Sequence, residues 1–552
     1  MSKMRLLLYI FVACLIVIVV RLFFIQILFA SSYSVDYTVT EKIEAERGKI
    51  LDRNLDPLAI NQTKYLLYVK PQEMKNKEEL VAKIDEALHL GEATIEARIN
   101  ETKEWAAVAN SVDKKTKEKI QALSLPGVGF EPQRERFYPE ASLAAHLIGF
   151  VGKDENGRQL GYFGVEGYYD RDLAGLSGVL KSERDLFGRP IFSGDQEKVA
   201  AQDGRTVVLT IDKAVQLIIK KNLKNAVEQY KAKAGCVIAV TPKTMEIVGL
   251  SCLPDFDPTT YFDSSEDVFI DWAISSGYEP GSTFKPLVMA AAINEDLFEP
   301  NDIYNESGPV EVGGYSIQNW NDKYDGKIDI ARILEKSSNV GMTYVGGKLG
   351  KEKLYKYLKN YGFGDYTNID LQGESTAELR PIETWYAIDT ATHSFGQGIS
   401  VTAIQLVRAF SSIINGGYLM RPYIVKAVID YTGTKVREPQ IQRQVIDKRT
   451  SAIMRKMLVS TVAHAEAKWD IPKGFTFGGK TGTAQIALGG KYDTSKTIAS
   501  FIGFAPADDP KFLVLVVLRE PGVSSWGSET AAPLFFEIAK ELLVYYNIPP
   551  DH

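Results

Sequence analysis

The chain opens on one long apolar run. From Leu6 to Ala30 the sequence "LLLYIFVACLIVIVVRLFFIQILFA" is interrupted mainly by Arg21 and Gln26. A helix rising about 1.5 Å per residue over that run crosses a hydrocarbon core of about 30 Å, whereas a cleavable signal peptide carries only roughly 7 to 15 apolar residues. The pattern predicts an uncleaved transmembrane anchor over residues 6–30, with "LFASS" as the one place where processing is conceivable. Lys3 and Arg5 lie in residues 1–5 and favour a cytoplasmic N-terminus, so a single pass through the cytoplasmic membrane is expected, with the rest outside. Residues 31–203 then mix short strand-like runs such as "YLLYV" with charged helical stretches such as "KEELVAKIDEAL", a texture that predicts a spacer or docking domain.

From Gly204 the elements become regular. "RTVVLTI" reads as a strand, and Asp212 is placed to cap a helix in which Val215, Ile219, Leu223, Ala226 and Tyr230 recur at three- and four-residue spacing. "CVIAV" and "IVGLSC" predict a hairpin with Met245 in its turn, where a positive φ would favour glycine. Further on, "GFTFGGKTGTAQI" and "TIASFIGFAPADDPKFLVLVVL", turning at "PADDP", read as strands, and "AAPLFFEIAKELLVYY" as a closing helix. Strands at both ends with helices between them predict an α+β domain over residues 204–548, an antiparallel sheet flanked by helices.

Composition narrows this picture without redirecting it. At 552 residues, 24% charged and 45% hydrophobic, the chain is globular and long enough for two to four domains. A net charge of −6 is small for this size and points to no nucleic-acid partner. Of three cysteines, Cys14 falls in the anchor, so only Cys236 and Cys252 could pair; a bridge between their strands is conceivable, but two reduced, packed thiols are the expectation. His393 and His464 have no His or Cys companions at ligand spacing and are expected to be structural, and no metal or organic cofactor is called for.

The candidate chemistry begins at "YEPGSTFKP", where Ser282 stands one helical turn before Lys285. A Ser-x-x-Lys pair alone is weak, and the chain holds a second, Ser111 to Lys114, set among charges that look like an exposed helix start. The neighbours separate the two. "PLVMAAAINEDLF" after Lys285 is apolar all round, so that helix should be buried, and a buried ammonium loses hydration and becomes a base-competent amine. Pro286 lacks an N–H and would leave the Ser282 carbonyl without its helical partner, which predicts a distorted helix start. "EKSSNVG" adds Ser337 and Asn339, able to relay a proton and hold an amide from one side of a turn. "GGKTGTAQ" adds Lys480, Thr481 and Thr483, a cation and hydroxyls suited to a carboxylate, with Gly482 permitting close approach.

Taken in this order, Ser-x-x-Lys, Ser-x-Asn and Lys-Thr-Gly are the motif set of β-lactamases and penicillin-binding proteins. From about Arg205 to Tyr546 the chain resembles the transpeptidase domain of class B penicillin-binding proteins through "YEPGSTFKP", "EKSSNVG", "SFGQGISVTAIQL" and "GGKTGTAQ". "ERGKILDRN", "RFYPEASLAAHLIGFVG" and "GVEGYYDRDLAG" are similar to that family's elongated pedestal, with Arg47, Gly48, Asp52 and Arg53 in the first motif. On residue types alone those four could equally be turn chemistry with surface charges. The resemblance implies a peptidoglycan D,D-transpeptidase, most like the septal type, acting on stem peptides ending in D-Ala-D-Ala and acylated by β-lactams. It implies Ser282 as nucleophile, Lys285 as base, Ser337 as proton relay, Asn339 as amide and lysine holder, and Lys480, Thr481 and Thr483 as the carboxylate site. The oxyanion hole would be the N–H groups of Ser282 and Thr483. A membrane glycosyltransferase is the expected partner of pedestal and anchor. An elongation-type enzyme or a D-Ala-D-Ala carboxypeptidase are the near alternatives, and a β-lactam sensor or silent division scaffold the distant ones. A β-lactamase lacks support, because no Glu-x-x-Leu-Asn motif for a deacylating water is found.

Overall fold

The computed structural model describes residues 3–28, 38–100, 102–155, 157–183, 191, 196–488 and 491–551. They divide into two compact units. The first comprises the N-terminus to Glu46 with Gly175–Asp203. It holds an α-helix, Lys3–Phe23, continued by a π-helical turn, Phe24–Leu28. The stretch Lys3–Ile27 is the one helix among the described residues long and apolar enough to cross a membrane. Phe29 and Ala30, which end the predicted anchor, and Ser31 and Ser32 of "LFASS" lie outside the described residues. The unit also holds a three-stranded antiparallel sheet of Thr38–Ile43, Gly178–Glu183 and Gln196–Val199, with Gly178–Glu183 in the middle.

The second unit, Arg47–Ala174 with Gly204–His552, carries the candidate chemistry. Its catalytic part is built on five antiparallel strands: β1 (Ala234–Val240), β2 (Ile247–Leu253), β3 (Gly478–Leu488), β4 (Lys491–Ala505) and β5 (Phe512–Arg519), in spatial order β2-β1-β5-β4-β3. The run "FLVLVVLR" is apolar at every position but the last because β5 is central and covered on both faces. Leu513, Leu515 and Val517 point into one core and Phe512, Val514, Val516 and Leu518 into the other, as the two-residue period of a strand requires.

Among the helices of this part are α1 (Lys213–Tyr230), α2 (Lys285–Asn294), α3 (Ile330–Glu335), α4 (Asn339–Leu349), α5 (Ala403–Ile414), α6 (Lys448–Ala463) and α7 (Ala531–Tyr545). Helices α1 and α7 cover one face of the sheet, and α2 and α5 pack in the core of the other. Asp212 caps α1 as expected, its side chain accepting from Ala214 and Val215 N–H, while Val215, Ile219, Leu223 and Ala226 are buried along one stripe. Met245 does adopt a positive φ of 58°, with its side chain wholly buried. Its packing in the core offsets a backbone conformation that glycine would adopt at no steric cost.

Two expectations are corrected. Cys236 and Cys252 are disulfide-bonded, not reduced, because the β1–β2 register sets them directly opposite one another with both sulfurs on the same face. The strand in "RTVVLTI", Thr206–Leu209, is not part of the catalytic sheet. It pairs in parallel with Ile50–Leu51 and antiparallel with Val425–Asp430, in a seven-stranded sheet that runs on through Pro57–Val69 to Ala106–Val112.

Candidate active site

Ser282 sits in a single 3-10 turn, Gly281–Thr283, placed directly before α2. Phe284 N–H donates to the Gly281 carbonyl at 2.9 Å, and Pro286 lies in the first turn of α2, so the distortion expected from that proline takes the form of a tightened turn. Gly281 has a φ of +55°, and its N–H donates to the Gly396 carbonyl at 3.0 Å. A Cβ on Gly281 would come within 2.8 Å of the Thr483 carbonyl oxygen, so the nucleophile's turn is gripped between the "SFGQG" loop and β3.

All of α2 from Lys285 to Ile293 is buried, and Lys285 is 0% exposed. Its ammonium donates to the Ser337 carbonyl at 2.6 Å, the Ser337 hydroxyl at 3.1 Å and the Asn339 side-chain oxygen at 2.9 Å. Burial, then the Lys480 charge, hold this amine well below the usual lysine range, against an opposing pull from Glu306. Ser337 occupies the joint between α3 and α4 with a φ of 55°, which turns both its carbonyl and its hydroxyl toward Lys285. Ser338, at the N-cap of α4, accepts from Gly341 N–H at 2.7 Å, and Asn339 is braced by donating to the Gln318 carbonyl at 3.0 Å.

Strand β3 is the sheet edge beside this turn and carries the third motif. Lys480 is 4% exposed, lies 3.3 Å from the Thr481 carbonyl and 3.4 Å from its hydroxyl, and is pushed down to about 7 by burial. The Thr483 hydroxyl accepts from Gly527 N–H at 3.0 Å. At Gly482 the close approach is by the chain itself: a Cβ there would lie 2.5 Å from Ser500 Oγ and 2.9 Å from Thr283 Cγ2. Ser282, Ser337, Asn339, Lys480, Thr481 and Thr483 together line a cleft of about 440 Å³. Trp320 and Trp526, not singled out in the sequence, also line it and meet edge to face with ring centres 5.1 Å apart.

Away from the cleft, Arg47, Gly48 and Asp52 of "ERGKILDRN" are buried, and Asp52 also organises the turn that follows it. Arg47 is 6% exposed and pairs with Glu166 at 2.6 Å and Asp170 at 2.8 Å, while Arg136 meets the other Glu166 oxygen at 2.6 Å. A Cβ on Gly48 would fall 1.8 Å from the Arg205 carbonyl oxygen. Asp52 is fully buried and accepts from Asn54 N–H at 2.7 Å, Asp56 N–H at 2.9 Å and Lys213 N–H at 3.2 Å. Arg53 reaches Glu246 at 3.3 Å. The second Ser-x-x-Lys pair is an exposed helix start, as expected: Asp113 caps the helix Lys114–Ala122, and Ser111 donates to Glu135. His393, buried against Trp385, donates from Nε2 to the Gly398 carbonyl at 2.9 Å, and among the described residues no cluster fit for a metal occurs.

Comparison with known proteins finds two domain families along the chain. The penicillin binding protein transpeptidase domain matches residues 235–540, and the penicillin-binding protein dimerisation domain matches residues 42–209. Stage V sporulation protein D of Bacillus subtilis is 38% identical over 520 residues, covering 92% of this chain and 79% of that protein. The probable peptidoglycan D,D-transpeptidase PenA of Neisseria meningitidis is 30% identical over 518 residues, covering 93% and 86%. The crystal structure of penicillin binding protein 2X from Streptococcus thermophilus has the same fold, with a TM-score of 0.78 over 92% of this chain and 80% of that one at 24% identity. With both domain families matched in order and relatives aligned over nearly the whole length, the chain belongs to the penicillin-binding protein transpeptidase family.

Proposed function

We propose that the protein is a membrane-anchored serine D,D-transpeptidase that cross-links peptidoglycan stem peptides through an acyl-enzyme on Ser282. The observation that carries this reading is the fully buried Lys285 amine, fixed by Ser337 and Asn339 beside the nucleophile's turn. The neutral amine of Lys285 takes the Ser282 proton as Oγ attacks the carbonyl between the two D-alanines. The oxyanion is received by the N–H groups of Ser282 and Thr483, and each such donor is worth about 3 to 4 kcal/mol in other acyl-transfer enzymes. Ser337 passes the proton to the departing D-alanine amine. An amine of a neighbouring stem peptide then attacks the ester, displaces Ser282 Oγ and leaves an amide cross-link. Lys480, with Thr481 and Thr483, receives the terminal carboxylate, whose charge favours the protonated lysine, so substrate binding draws in a proton.

A labelled penicillin incubated with the detergent-solubilised protein is expected to leave one stable adduct, on the peptide containing Ser282; an adduct confined to another peptide would refute the assignment. The acid limb of the acylation rate has a fixed sign. The reactive form is neutral Lys285, so the rate falls about tenfold per unit as pH drops below that group's pKa, while loss of the Lys480 proton, at about pH 7 in the free protein, gives an opposing alkaline limb through weaker carboxylate binding. Because that pKa lies well below the ordinary amine value, the half-maximal rate is expected well below pH 10. Stopped-flow acylation from about pH 5 to 11 measures it, and an acid-limb midpoint near pH 10.4, the unperturbed lysine value, would contradict the base assignment.

The cell-biological setting is proposed as septal synthesis alongside a membrane glycosyltransferase that supplies glycan strands, with the catalytic domain outside the cytoplasm. The 38% identity to a protein named for stage V of sporulation supports a second setting, sporulation. Depleting the protein in its host separates them: filamentous growth, with a glycosyltransferase co-purifying with the full chain, fits the first, and normal division with failed sporulation fits the second.

A further inference from the structure

Behind the catalytic lysine lies a carboxylate that none of the three motifs contains. Glu306 ends the strand Ile303–Glu306 and is 3% exposed. It accepts a hydrogen bond from the Ser338 hydroxyl and one from Asp325 N–H at 3.2 Å. Ser338 is the residue between Ser337 and Asn339, the two that hold the Lys285 ammonium. The same Ser338 hydroxyl caps α4 and lies 3.1 Å from Asn319 Oδ1, which in turn accepts from Asn339 N–H at 2.9 Å. A full-length buried carboxylate with only two donors is costly unless its charge meets a counter-charge. Its charge is felt by the Lys285 amine, on which the Lys480 charge acts in the opposite sense, and by Tyr304 on its own strand.

We propose that Glu306 is a positioning residue for acyl transfer: through Ser338 it locks the Ser337–Asn339 turn onto Lys285. Its negative charge, which the Lys285 amine feels, is its second contribution. This rests on the reading of Ser282 and Lys285 given above. The two contributions are separable by chemistry. Glu306→Gln keeps the size and an acceptor for Ser338 but removes the charge. Ser338→Ala keeps the charge but cuts the link to the turn.

The test is the pH profile of Ser282 acylation by a labelled penicillin, measured on the full chain in detergent for wild type, Glu306→Gln and Ser338→Ala, with thermal melts of each. Removing a negative charge that favours protonated Lys285 lowers that group's pKa, so in Glu306→Gln the acid limb is expected to move to lower pH by about one unit. The plateau is expected to fall about tenfold, as a weaker base removes the Ser282 proton. In Ser338→Ala the plateau is expected to drop by a similar factor with the acid limb in place. A Glu306→Gln profile that superimposes on wild type, or one lowered at every pH without displacement of its acid limb, would overturn the proposal. Absence of any wild-type adduct would instead overturn the Ser282 reading, so the two failures are distinguishable.

Discussion

Ser282→Ala is expected to leave the protein folded, unlabelled by penicillin and without cross-linking activity. The nucleophile supplies the bond on which both half-reactions depend, and no neighbour can replace it. Ser337, which also lines the cleft, already has its hydroxyl engaged with the Lys285 amine at 3.1 Å. Loss of a catalytic serine in another acyl-transfer enzyme costs on the order of 10⁶ in kcat, the residue of catalysis coming from the oxyanion hole and binding. The substitution should cost little stability, because the turn is held by backbone contacts from Gly281 to Gly396 and from Phe284 to Gly281. Two measurements check this: adduct formation followed by mass, and retained non-covalent affinity for a D-Ala-D-Ala peptide. Retained acylation at the wild-type rate would refute the assignment of Ser282.

Glu166→Ala is expected to cost about 3 to 5 kcal/mol of stability, the range for breaking a buried ion pair by removing one partner. Glu166 has no exposed side-chain surface and serves two guanidiniums, those of Arg47 and Arg136, whose side chains are 5% and 3% exposed. Taking the carboxylate away leaves two buried cations facing one another, with only Asp170 on Arg47 as compensation. Urea unfolding of the part outside the membrane, compared with wild type, reads the loss. The molecules that remain folded should still take up penicillin on Ser282, since the cluster touches no residue of the cleft. A midpoint unchanged within error would show that the network contributes nothing net.

Much of this was legible because it is local. Ser282 and Lys285 are three residues apart, and the apolar helix after them announces the burial that perturbs the lysine. Helix α1 was visible down to its cap, since capping and the three- and four-residue period both lie within a single segment. What stayed hidden depends on register or on distance along the chain. Cys236 and Cys252 bond because the turn between their strands sets them opposite, a one-residue matter that the runs "CVIAV" and "IVGLSC" leave open. Glu306 and Asn319 reach the site from segments that carry no motif, and their residue types are common on any surface. Residue types alone leave Arg47 open between a turn charge and a structural motif because its partners, Glu166 and Asp170, come from a segment remote in sequence.

The strand Thr206–Leu209, shared between Ile50–Leu51 and Val425–Asp430, bears on how such a protein can be recombined. A gene fusion joined at the apparent border near residue 204 would swap the amino acids of a pedestal and keep those of an enzyme, yet it would pass through one continuous sheet. Inheritance here is discontinuous: residues 47–174 travel with residues 204–552, and a viable chimera has to exchange both together or match side chains across every strand they share.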